Sequence, residues 1–182
     1  MSKYNELVRN GAISSLKIQG YECRGRVVEG EEYLEKLYSL FLQRFKDVEV
    51  CKNANQLEAL YADMLEIIKA IMAYYKVSTK QLNVTVNQPL QWYVRFVPHK
   101  VLTARAKTNL LERLEELSKV KSKEVVVDQL NDVFRAFKDY VEVNNQNFLD
   151  VEKRRVEMSK KEGGYSKGIY LESIRKIKTH TI

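Results

Sequence analysis

The sequence predicts an all-α protein: a four-helix-type bundle built from two repeated αα-hairpins, with a short extended connector between them and a C-terminal helix. Three observations predict it. Only 7 Gly and 2 Pro in 182 residues leave few points at which a helix is forced to stop. Apolar residues recur at i, i+3 and i+4 through four long stretches, the spacing of a helix with one buried face. The second pair of stretches repeats the first at a fixed displacement. A chain of this length buries one good core, so residues 1–182 are expected to form a single domain.

Residues 1–30 read as an N-terminal arm or short helix closed near Gly20. From Glu31 the apolar positions are Tyr33, Leu37, Leu40, Phe41, Phe45 and Val48, an amphipathic helix. The polar group Lys52-Asn53-Ala54-Asn55 interrupts it. A second helix follows with Asn55 as N-cap and Leu57, Leu60, Tyr61, Met64, Ile68, Ile71 and Tyr75 on its apolar face. These two helices are the first hairpin, within a repeat of about 26–80. Between 83 and 100, Val84 and Val86 alternate with polar neighbours, Pro89 intervenes, and Trp92 to Val97 is rich in aromatic and β-branched residues. An extended connector with one or two short strands is expected there.

Helical periodicity returns at Leu102, Ala106, Leu110, Leu114 and Leu117, stops at Lys121-Ser122-Lys123, and resumes at Val126, Leu130, Val133, Phe137 and Val141. This second hairpin spans about 101–144. A basic helix from Phe148 to Lys161 follows, ending at Gly163-Gly164-Tyr165, and a short docked segment with a Lys/Arg tail closes the sequence. Displacing the first hairpin by 69 residues places Arg44 on Arg113, Asp47 on Glu116, Asp63 on Asp132 and Lys69 on Lys138. Two stacked copies of a hairpin bury apolar stripes that one copy exposes, which is the physical case for a duplicated bundle.

The second hairpin also carries an acidic cluster. Glu112 and Glu116 stand at i and i+4 on one helix face, and Gln129 and Asp132 at i and i+3 on the next. Placed between paired helices they would hold a divalent cation; placed outward they are the solvated faces of two amphipathic helices.

Thirty-one basic against 24 acidic residues give a net charge of +7, which favours phosphate-bearing partners. No apolar run approaches the roughly 20 residues of a spanning helix, and the N-terminal residues lack a signal-peptide core, so a cytoplasmic protein without a membrane is expected. Cys23 and Cys51 make neither a zinc motif nor a disulfide framework. With His99 and His180 as the two histidines, histidine-based catalysis is not expected.

Four blocks carry a resemblance. Tyr4-Asn5-Glu6-Leu7-Val8-Arg9, Glu31-Glu32-Tyr33-Leu34, Ala62-Asp63-Met64-Leu65-Glu66-Ile67-Ile68 and Gly163-Gly164-Tyr165-Ser166-Lys167-Gly168-Ile169-Tyr170-Leu171 resemble, in order, the MazG-like and phosphoribosyl-ATP pyrophosphohydrolase-like family. The resemblance implies an all-α fold and Mg²⁺-dependent cleavage of nucleoside triphosphates to monophosphate and pyrophosphate. It also implies a Glu-Glu-x-x-Glu motif on one helix and Glu-x-x-Asp on the next. In the first hairpin those positions read Gln43-Arg44-Phe45-Lys46-Asp47 and Leu60-Tyr61-Ala62-Asp63, a set short of ligands with cations beside it. The second hairpin reads Glu112-Arg113-Leu114-Glu115-Glu116 and Gln129-Leu130-Asn131-Asp132.

The first functional expectation is therefore a hydrolase whose Mg²⁺ is held by Glu112, Glu116, Gln129 and Asp132, with Glu115 as general base. Lys153, Arg154, Arg155, Lys160 and Lys167 would meet the phosphates. The alternative is a catalytically degenerate family member that binds a nucleotide or a protein partner. A third reading makes the basic segment 153–161, the tail and Trp92-Tyr93 a nucleic-acid surface, against which solvated basic faces and core aromatics are the commoner outcome. A homodimer stays open beside a monomer.

Overall fold

The computed structural model of the chain describes residues 2–82, 97–120 and 123–177. The chain divides into two compact units, residues 1–71 with 154–182 and residues 72–153. Mostly helical structure is found, as expected, with a small antiparallel sheet that the all-α expectation missed.

In the first unit, β1 (Ser2–Leu7) and α1 (Ala12–Ile18) are followed by β2 (Tyr21–Val27). The helix α1 ends at Gln19, and Gly20 takes φ +82° to turn the chain into β2. The strand β3 (Ile169–Lys176) lies between β1 and β2, antiparallel to both. Each pairing has one irregularity. That between β1 and β3 falls between Lys3 and Glu6, where Asn5 sits at φ 53°, a left-handed conformation that asparagine tolerates. The other falls at Gly25, where a Cβ would lie 2.7 Å from the Tyr170 carbonyl oxygen.

The helix α2 (Gly30–Val50) buries Tyr33, Leu37, Leu40, Phe41, Phe45 and Val48, the same six residues its periodicity selects. Its partner α3 (Ala54–Tyr74) buries Tyr61, Met64, Ile68 and Ile71 as expected, together with Leu65 and Ile67. The cap of α3 is Asn53 rather than Asn55. Its Oδ1 accepts the backbone N–H of Asn55 at 3.0 Å and of Gln56 at 3.1 Å, starting the helix two residues earlier than predicted.

In the second unit, α4 (His99–Ser118) buries Leu110, Leu114 and Leu117. Its neighbour α5 (Lys123–Val143) buries Val126, Leu130, Val133, Phe137 and Val141. Phe148, which opens α6 (Phe148–Glu162), makes edge contacts with Phe134 and Phe137 of α5. The helix α6 is capped by Asn147, whose Oδ1 accepts the Leu149 N–H at 2.8 Å. Most of the expected strand-bearing connector, including Trp92 and Tyr93, and the tail from 178 onward lie outside the described residues. Among the described residues no helix is long and apolar enough to cross a membrane.

Candidate functional site

The residues with the most unusual surroundings lie in the first unit. Arg9 and Asp63 are both buried to 7% exposure, a state charged groups reach only when paired. Arg9 follows β1. Its Nε and Nη2 donate to Asp63 Oδ1 at 3.0 and 2.6 Å, and Nη1 donates to the Gly163 carbonyl at 2.9 Å. Arg44 approaches Asp63 from α2, donating from Nε to Oδ2 at 2.8 Å. The Tyr165 hydroxyl closes the set at 2.8 and 2.9 Å from the two oxygens. One buried carboxylate thus joins a segment following β1, two helices and the loop after α6.

Arg44 extends the network outward. Its Nη1 donates to Asp47 Oδ2 at 3.2 Å, one turn along α2, and its Nη2 to Glu6 Oε1 at 2.5 Å. Glu6 comes directly after the irregular part of β1, where bulges characteristically re-aim a side chain. One turn beyond Asp63, Glu66 accepts from Arg155 Nη1 at 2.7 Å. Burial acts against the charge on Arg9, and Asp63 outweighs it, holding the Arg9 pKa above the usual arginine range. The same opposition, with Glu6 added, raises Arg44. Burial drives the Tyr165 hydroxyl well above an ordinary tyrosine, and the adjacent Asp63 charge adds to it, so this hydroxyl is a proton donor at neutral pH. Tyr33 donates to the Tyr165 carbonyl oxygen at 3.1 Å, and its hydroxyl is pushed up to about 12 by burial and then by Glu66.

The loop that carries Tyr165 depends on glycine. Gly163 has φ +75°, and a Cβ at Gly164 would lie 2.3 Å from Oε1 of Glu66, a carboxylate whose Oε2 is tied to Arg155. Gly168 stands at φ +59° with the Val28 carbonyl oxygen 2.2 Å from where a Cβ would be. The backbone here admits no side chain without rebuilding. The Asn10 and Gly11 N–H groups donate to the Gly164 and Glu162 carbonyls, both at 2.8 Å, binding the N-terminal segment to the end of α6.

Over this network opens a cavity of about 830 Å³, within the range of small-molecule sites. Glu6, Arg9, Arg44, Asp63 and Tyr165 line it on the polar side. Leu16, Ala59, Leu60 and Met158 contribute apolar wall, and Gln56, Ser15, Gln19 and Lys161 offer further polar groups. The four sequence blocks of the resemblance therefore meet in space: Arg9 from the first, Tyr33 from the second, Asp63 and Glu66 from the third, Tyr165 from the fourth.

The residues expected to hold Mg²⁺ lie in the second unit. Glu112 is exposed on α4. Glu116 accepts from Arg113 at 2.9 Å within α4, and Glu115 from Lys119, the residue just after that helix, at 2.6 Å; both pairs are largely exposed. The Lys119 hydrogen bond and charge lower the Glu115 pKa, which weakens it as a base at neutral pH. Asp132 is half-buried on α5, and the Gln129 Oε1 is buried without a hydrogen-bond partner among the described residues. Among the described residues no group of three or more His, Cys, Asp or Glu is disposed to hold a metal ion. The donor set for Mg²⁺ implied by the resemblance is not assembled by these residues. At the first hairpin the carboxylates that do converge are already occupied by arginine, so that set does not fit Mg²⁺ either.

The expected phosphate-binding cations are dispersed. Lys153 pairs with Asp150 at 3.1 Å, Arg154 with Glu157 at 3.6 Å and Arg155 with Glu66. Lys160 and Lys167 are exposed, and Lys161, one residue along α6, is the basic residue of this helix that lines the cavity. The periodicity of α6 carries that signal, since Met158, Lys161 and Glu162 are one face at i, i+3 and i+4. No family model, curated protein or solved structure matches the chain.

Proposed function

We propose that this chain is a catalytically degenerate MazG-like protein that binds a nucleotide in the cavity of its first unit and turns nothing over. The observation that carries the proposal is Asp63, a buried carboxylate under a ligand-sized cavity whose oxygens are taken by Arg9, Arg44 and Tyr165. A carboxylate so occupied positions neighbouring groups and has little capacity left for a metal or a reacting water. The apolar wall of Leu16, Ala59, Leu60 and Met158 suits a base, and Lys161 with the net charge of +7 suits a phosphate. In the same reading the two hairpins are copies of one ancestral unit from a four-helix-type arrangement, and the second has kept helix dimensions without the buried network.

Titration with a panel of nucleoside mono- and triphosphates, followed by thermal unfolding and calorimetry, tests the proposal. A nucleotide-dependent rise in Tm that Lys161→Ala weakens is expected, with no pyrophosphate released in Mg²⁺. Pyrophosphate release that requires Mg²⁺ and disappears in Glu116→Ala would instead make the chain a hydrolase using its second hairpin.

A further inference from the structure

The strand β3 is central, so β1 and β2 are both sheet edges, and an edge carries unpaired backbone donors and acceptors. The β1 edge is broken at Asn5, whose φ of 53° falls within its irregular stretch. The β2 edge runs on without an inserted residue, because the extra residue opposite Arg24 and Gly25 is Glu172 of β3. The Ile177 N–H donates to the Gly20 carbonyl and the Val28 N–H to the Gly168 carbonyl, both in register with the pairing of β2 and β3. By alternation Glu22, Arg24 and Arg26 turn their backbone groups toward β3, and Tyr21, Cys23, Gly25 and Val27 turn theirs outward. Among the described residues no backbone partner outside the sheet is found for these four. Arg24, Gly25, Arg26 and Val27 are all exposed.

We propose that this edge pairs antiparallel with the β2 edge of a second copy of the chain, about a two-fold axis at Cys23, so that the sheet continues from one chain into the next. The charges choose the register. With Cys23 on the axis, Glu22 stands opposite Arg24 of the second copy, and Arg24 opposite its Glu22, at the positions of closest side-chain approach. Within one chain Glu22 accepts from Arg175, and Arg24 pairs with Glu172 at 3.3 Å. The contact therefore continues a row of alternating sign, from Arg175 through Glu22 to Arg24 and Glu172 of the second copy. Tyr21 falls opposite Gly25, where no side chain competes with the ring. Moving the axis to Glu22 or to Arg24 keeps the hydrogen-bond parity but sets Glu22 against Glu22 or Arg24 against Arg24. Edge charges ordinarily forbid pairing; these forbid the neighbouring registers and leave this one open. An edge of seven residues is a small interface, so association in the micromolar range is expected. No residue of β2 lines the cavity, and the contact is independent of the ligand proposed there.

The test is sedimentation velocity of the full chain over a micromolar concentration range, with folding followed by circular dichroism. The native chain is expected to dimerise. Glu22→Arg and Arg24→Glu each place like charges in the register and are expected to sediment as monomers. An equal mixture of the two, in which both pairs are again of opposite sign, is expected to form the dimer. Each variant carries the same changes within its own chain whether alone or mixed, so recovery on mixing reports the contact between copies. In a Cys51→Ser chain, diamide is expected to join the two Cys23 thiols as a disulfide, since residues opposed in a hydrogen-bonded pair have Cα atoms about 5.5 Å apart. That measurement leaves the edge charges native and stands whether or not the two variants fold. A native chain that stays monomeric overturns the proposal, as does a dimer that survives either charge reversal. So does a folded variant pair that fails to associate on mixing, or a dimer whose Cys23 thiols do not join.

Discussion

Asp63 accepts hydrogen bonds from Arg9, Arg44 and Tyr165, so its loss leaves the buried Arg9 guanidinium without its hydrogen-bonded carboxylate, while Arg44 keeps Asp47 and Glu6. Removing one member of a buried charge pair costs about 3–5 kcal/mol, and Asp63→Ala is expected to fall in that range by urea denaturation. Tyr165→Phe withdraws a single donor and should cost about 1–3 kcal/mol. It also changes the alkaline limb. The folded-state pKa of Tyr165 lies above that of an unfolded tyrosine, about 10, so its contribution is whole below that pH and is lost as pH rises toward the folded value. Stability of the native chain should therefore fall above about pH 10, and the Phe variant should fall less steeply, by about 1.4 kcal/mol per pH unit. At this scale the sequence was partly legible. An i, i+3 spacing puts Arg44 beside Asp47, but Arg9 and Tyr165 come to Asp63 from 54 and 102 residues away, and no local spacing encodes that.

Among the elements, helices were legible and strands were not. A buried helical face imposes a period of 3.6 that the six core residues of α2 display without exception. The strands β1 and β2 present mostly exposed side chains, so neither shows the alternation of a half-buried strand. Their partner β3 comes from far along the chain, Ser2 pairing with Ile174. Glycine is the remaining trace of this packing. Gly168→Ala combines a left-handed backbone with a carbonyl 2.2 Å from the new Cβ, and should cost about 2–4 kcal/mol. Gly20→Ala has a similar φ with open space around it, and about 1 kcal/mol is expected. The two urea midpoints, measured side by side, separate crowding from backbone strain. On α4, Glu116→Ala loses an exposed ion pair and should alter stability by no more than about 0.5 kcal/mol.

For the whole molecule, periodicity identified the hairpins but not their surroundings. The helices α2 and α3 are 21 residues each, and α4 and α5 are 20 and 21, so the two pairs match in length. Which face a helix buries is written in its own sequence, whereas what it buries that face against is not. The chain divides in a way that periodicity does not reveal, one unit being formed by residues 1–71 and 154–182 and the other by residues 72–153. Deleting residues 163–182 removes β3, the central strand, so β1 and β2 lose their shared partner, and it removes Tyr165 from Asp63. Hydrogen exchange on the truncated chain is expected to show loss of protection through 2–71, while amides of α4 and α5 stay protected by the buried leucines, valines and phenylalanines of their own hairpin. Simultaneous loss of protection in both regions would show that the units unfold as one cooperative body.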